Sequence, residues 1–209
     1  MNPDLTEPAT LLADPAWVRA RIGGAAKLYG CARPEVLGTI WWYSLSSVLV
    51  APSLESLVST GVALDPSLDA VSLDMVSDGR FLGARSSRPL SADLVELGTA
   101  FSEALGTAIR TIASVSGANP RALGAIATDS IGNRLLWTSD PERAMTLASP
   151  LVSAIGLGMP SPRFVRVGRS PVVRRASCCL IYEAGNPKCT SCPRQTPAER
   201  DRRLRAALG

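Results

Sequence analysis

Four of the five cysteines fall within fifteen positions, as Cys178-Cys179, nine intervening residues, Cys189, two intervening residues and Cys192. Thiolate is a soft, anionic donor, and a cluster of thiols that stays reduced is suited to holding zinc or an iron-sulfur centre. The fifth, Cys31, lies far away in sequence and reads as a bystander, buried as a small apolar side chain.

The spacing bears on which metal. Structural zinc commonly takes two Cys-x-x-Cys knuckles, each curling both sulfurs onto one ion, and only Cys189-Thr190-Ser191-Cys192 has that form. Adjacent cysteines in extended backbone point to opposite sides, so Cys178 and Cys179 suit a wider target, a 2Fe-2S cluster with its ligands spread over two irons. Zinc stands as the alternative. So does a vicinal Cys178-Cys179 disulfide, which would be strained because neighbouring Cα atoms lie only about 3.8 Å apart. Arg174 and Arg175 upstream, with Lys188 and Arg194 around the second pair, are candidates to offset the negative charge of a four-thiolate centre and raise its potential. A solvated basic rim is the plainer account of them. Gly185-Asn186-Pro187 supplies a turn between the two halves.

Composition narrows the chemistry further. The chain has 209 residues and no histidine, which removes histidine-ligated zinc or iron, Rieske centres, the usual hydrolase triads and imidazole acid-base work. Neither Gly23-Gly24 nor Gly156-Leu157-Gly158 completes a dinucleotide fingerprint, and no phosphate loop of the GxxxxGK[ST] type occurs. Residues 161–209 carry 11 basic and 3 acidic side chains, against 11 and 15 in residues 1–160. Positive charge thus gathers around the cysteines. With 5% aromatic residues and no nucleic-acid motif, an acidic protein or a small anion is the expected partner rather than DNA or RNA. The start of the chain lacks the basic residues of a secretory leader, and the apolar run Val36–Val50 is too short and serine-rich to span a bilayer. Cytoplasmic residence without a membrane span is expected.

The elements that must position the cysteines read as follows. Asp14-Pro15 predicts a helix to about Leu28 with Trp17 and Ile22 inward, and Pro34 opens an apolar core helix that reaches Pro52. Residues 71–86 alternate on both sides of Asp78-Gly79, a hairpin. Ser91 is expected to cap a helix in which Leu94, Leu97, Phe101, Leu105, Ile109 and Ile112 recur at helical spacing. Asn119-Pro120 and Asp140-Pro141 open two more, toward Trp137 and Leu157. Short extended segments are expected from Arg163. A last helix follows from Pro197, with Leu204 and Leu208 inward. Trp41, Trp42, Tyr43 and Trp137 could line a pocket, although aromatics at helical positions more often belong to the core. The fold class is α+β: a helix-dominated domain over residues 1–162 with a small antiparallel β element, and a loop-rich cysteine module over 163–209.

The stretch RRASCCLIYEAGNPKCTSC, residues 174–192, resembles the C-terminal segment of the FhuF-type ferric-siderophore reductases at Arg174, Arg175, Cys178, Cys179, Leu180, Tyr182, Cys189 and Cys192. Upstream the likeness thins to a helix-rich pattern and the RLLW stretch Arg134–Trp137. The spacer here is nine residues where the family has ten. The resemblance implies a 2Fe-2S cluster on Cys178, Cys179, Cys189 and Cys192, and one-electron reduction of Fe(III) held by a hydroxamate-type siderophore. With no nucleotide motif in the chain, an external donor is implied, a ferredoxin or a flavoprotein reductase. A redox-sensing regulator and a zinc-stabilised binding module are the competing readings.

Overall fold

A side-chain cap followed by proline opens several of the helices, because proline at the first helical position needs no N–H partner and arrives with its φ already set. A computed structural model describes residues 4–208. In it Asp14 accepts from the Ala16 N–H at 2.8 Å and opens α1 (Pro15–Tyr29). Helix α2 follows at Pro34–Thr60. Asp93, rather than the expected Ser91, caps α3 (Leu94–Ser116) by accepting from Val95 N–H, while the Ser91 hydroxyl takes the Asp93 N–H. Asn119 and Asp140 cap α4 (Pro120–Leu136) and α5 (Pro141–Ile155), and α6 covers Pro197–Leu208.

Two small antiparallel sheets complete an α+β, helix-dominated fold. The hairpin of β2 (Val71–Met75) and β3 (Phe81–Ser86) turns through Asp78-Gly79, where glycine takes a φ of 89°. A third strand, β1 (Leu5–Pro8), pairs along β2. Four residues with little apolar alternation gave that strand no signature of its own, and β2 supplies its pairing partner. The expected extended segments after Arg163 form a second hairpin, β4 (Phe164–Val167) with β5 (Ser170–Val173). Both are edge strands, which is where Pro171 is tolerated.

Helix α2 is the central element, and it does not stop at Pro52. It continues to Thr60 because its next two turns bury Leu54, Leu57 and Val58. At about 1.5–3 kcal/mol for each buried aliphatic side chain, that packing outweighs roughly 3 kcal/mol for an interior proline. Trp41 and Trp42 are core residues; the Trp42 indole N–H donates to the Leu123 carbonyl of α4 at 2.8 Å, and Ser46 and Ser130 share a buried hydrogen bond of 2.8 Å across the same interface. Trp137 is exposed, lying against the Arg134 guanidinium 5.1 Å from its ring centre. Leu204 of α6 is buried beside β4, but Leu208 is 45% exposed, contrary to the sequence pattern. No helix among the described residues is long and apolar enough to cross a membrane.

Gly132 of α4 sets how closely the β4–β5 hairpin approaches. A Cβ there would stand 2.9 Å from the Val173 Cγ2 atom and 3.6 Å from the Phe164 ring. Gly132→Ala is therefore expected to cost about 1–3 kcal/mol in denaturant unfolding.

Candidate metal centre

Beyond β5 the chain is fastened before it reaches the first cysteine. Arg174 N–H returns to the Arg163 carbonyl at 2.8 Å, and the Ala176 and Ser177 N–H groups donate to the Asp129 carboxylate of α4 at 2.8 and 3.2 Å. Asp129 is 1% exposed, within a stretch of α4 that is buried from Leu123 to Gly132. Leu180 then adopts a left-handed φ of 62°, a strained position for a branched residue, and turns the chain into a 3-10 segment, Ile181–Ala184, that ends at Gly185. The second cysteine pair sits on a tight turn closed by Cys192 N–H to the Cys189 carbonyl at 3.0 Å. Buried Gln195 braces this turn by donating its side-chain amide to the Cys189 carbonyl at 2.6 Å.

Cys178 and Cys192 lie with their Sγ atoms 3.6 Å apart, and Cys189 and Cys179 both lie near Arg175 Nη1, at 3.3 and 4.0 Å. Cys178, Cys179 and Cys192 are buried and Cys189 half-buried, and all are unoxidised. Hydrogen bonds from Cys178 and Cys189 hold the Cys179 thiol far below its ordinary pKa, aided by the Ile181 N–H and Arg175 and opposed by burial. The two donor thiols move the other way, through that same sharing and through burial. Cys31 lies in the corner between α1 and α2, its N–H bonded to the Ala26 carbonyl, outside this group.

Arg175 is the charge inside the site. Its side chain is 2% exposed; Nη1 stands 3.3 Å from Cys189 Sγ and 4.0 Å from Cys179 Sγ. The guanidinium carbon lies 4.7 Å from the centre of the Tyr43 ring, and Nε lies 3.6 Å from Asp129 Oδ2. Burial works against the arginine's charge, yet Tyr43, Cys179, Cys189 and Asp129 together hold its pKa above the ordinary value. Burial pushes Asp129 up to about 6, against the pull of the two backbone N–H groups and of Arg175.

Arg174, Lys188 and Arg194, equally near the cysteines in sequence, are exposed, and among the described residues none donates to a sulfur. Successive residues leaving a strand face opposite ways, which separates Arg174 from Arg175. Lys188 instead donates to the Arg194 carbonyl at 3.1 Å and lies against Tyr182. Tyr43, Asp129 and Gln195 were not singled out from the sequence for roles at this site. Asp129 had a readable signal: a lone acid in a buried helical run must find a partner.

The donor set fits a two-iron cluster. Two thiolates bound to one tetrahedral metal at about 2.3 Å stand about 3.8 Å apart, close to the Cys178–Cys192 separation. Cys189 and Cys192 sit in different company, Cys192 beside Cys178 and Cys189 beside the guanidinium that also reaches Cys179, an arrangement that suits ligands spread over two metals. Arg175 Nε and Nη2 are buried without an acceptor in the protein, and such donors are costly unless a further acceptor stands beside the thiols. Sulfide-bearing iron provides one.

The family model described as the FhuF 2Fe-2S C-terminal domain matches residues 175–194. The segment therefore carries the mark of a 2Fe-2S cofactor. No curated protein matches the chain.

Proposed function

We propose that the protein is a ferric-siderophore reductase that holds its 2Fe-2S cluster on Cys178, Cys179, Cys189 and Cys192 and works in the reducing cytoplasm. The observation that supports this reading is the pairing of Cys178 with Cys192 and of a buried guanidinium with Cys179 and Cys189, inside the segment that matches the FhuF 2Fe-2S domain. When bound, such a cluster supplies a one-electron store.

The chain's own residues set the conditions for its use. Arg175 offsets the negative charge of four thiolates, and Asp129 keeps that arginine and the backbone before Cys178 in place. Tyr43 covers the guanidinium and keeps water from it. Exposed Arg174, Lys188 and Arg194 give the surface around the site a positive field that would draw an acidic donor such as a ferredoxin, or a flavoprotein reductase, to the side where the electron enters. The substrate is Fe(III) in a hydroxamate-type siderophore. Oxygen donors hold Fe(III) far more tightly than Fe(II), so one electron is enough to release the metal, and no proton shuttle is required of a chain without histidine.

The test is anaerobic. Protein purified without oxygen is expected to be red-brown. After chemical reduction and removal of excess reductant, it should release close to one Fe(II) per cluster from a ferric trihydroxamate, followed with a ferrous indicator. Colourless, zinc-loaded protein would overturn the reading, as would reduced protein that leaves every ferric chelate intact.

A further inference from the structure

Helix α1 contains two interior glycines, Gly23 and Gly24, although glycine is the poorest helix former after proline. Most other helical glycines have a packing reason. A Cβ at Gly38 would strike Ser116, one at Gly98 would strike the Ala154 backbone, and one at Gly132 would strike Val173. A Cβ at Gly24 would meet nothing within 4 Å. It would project from the wall of a cavity of about 640 Å³ between α1, α2 and the β2–β3 hairpin.

The other walls are chemically specific. Tyr29, Trp41 and Phe81 give aromatic faces; of the three lining cations, Arg80 pairs with Asp78 at 2.8 Å and Arg21 with Glu7 at 3.4 Å, while Lys27 makes no ion pair among the described residues. Trp41 is 4% exposed, and its indole N–H finds no acceptor in the protein. The volume lies in the range that encloses a small organic ligand, with apolar faces for its body and a few polar groups to orient it. One turn of α2 links the cavity to the thiol site: Trp41 and Ser44 line the cavity, while the ring of Tyr43 lies 4.7 Å from the Arg175 guanidinium, which reaches Cys189 Sγ at 3.3 Å.

We infer that this cavity is the chelate site, and that it takes a trivalent metal wrapped by oxygen donors whose organic frame carries a free carboxylate. Hydrocarbon of the frame lies on the aromatic faces, the carboxylate meets Lys27, and Gly24 leaves the room that a side chain would fill. The inference rests on the reductase reading, for which it supplies a substrate site.

Gallium(III) separates the two, because it mimics Fe(III) in size and charge but is not reduced under these conditions. The probe is the gallium(III) complex of a trihydroxamate bearing a terminal carboxylate, titrated against cluster-loaded protein with tryptophan emission and calorimetry as readouts. Wild type is expected to bind with quenching of emission. Gly24→Phe fills the cavity from an open helical position, and it should weaken binding at least tenfold with cluster content and Tm preserved. Lys27→Gln should weaken the carboxylate-bearing complex severalfold more than the same complex with its carboxylate amidated. Equal binding by wild type and Gly24→Phe would overturn the inference even if iron is still released, leaving the reductase reading intact. So would no binding by wild type at millimolar probe. Gly24-sensitive gallium binding without any Fe(II) release would uphold the cavity and remove the reductase reading instead.

Discussion

Serine in place of Cys178, Cys179, Cys189 or Cys192 is expected to lower iron and sulfide per chain by about tenfold or more, whereas Cys31→Ser should leave both unchanged. An alcohol of ordinary pKa replaces a soft thiolate, and the sulfurs depend on one another: Cys178 rests against Cys192, and Cys178 and Cys189 share the Cys179 thiolate. Iron and sulfide assays with visible spectra on anaerobic protein decide the matter. A Cys178→Ser protein with full iron and sulfide would refute the four-ligand assignment.

The cysteine segment and its 2Fe-2S character were legible in the sequence because their information is local. Four cysteines in fifteen positions leave few chemical options, and the turn around Gly185 brings the halves together as its composition suggests. What holds the ligands in place was hidden, because it comes from distant elements. Asp129 and Tyr43 belong to α4 and α2, 47 and 132 positions before the Ala176 N–H and Arg175 groups that they meet. No spacing rule links them. The same split runs through the fold. Proline-opened helices at Asp14, Asn119 and Asp140 were readable from two adjacent residues. The passage of α2 through Pro52 and the pairing of β1 were decided by burial and by β2, which lie outside any local window.

Outside the cysteines, the largest effect is expected at Arg175. Arg175→Met should cost about 3–5 kcal/mol in the metal-free protein, because it leaves the Asp129 carboxylate at 1% exposure without its cation. The two backbone N–H bonds to Asp129 limit that cost without removing it. Adding Asp129→Asn to Arg175→Met removes the uncompensated charge while one amide oxygen can still accept from Ala176, so the double variant should recover much of the loss. Stability and electrochemistry then part company. The double variant regains its resistance to urea but has no positive charge beside Cys189, so its loaded cluster should titrate at a lower potential than wild type. Arg175→Lys keeps the charge but loses the planar fork that spans sulfur, ring and carboxylate, and should fall between the two in both measurements. Urea unfolding of the metal-free proteins gives the coupling between Arg175 and Asp129, and redox titration followed by electron paramagnetic resonance gives the potential. If the double variant is as unstable as Arg175→Met and its potential equals that of wild type, then Arg175 is packing alone and the cluster takes its charge compensation elsewhere.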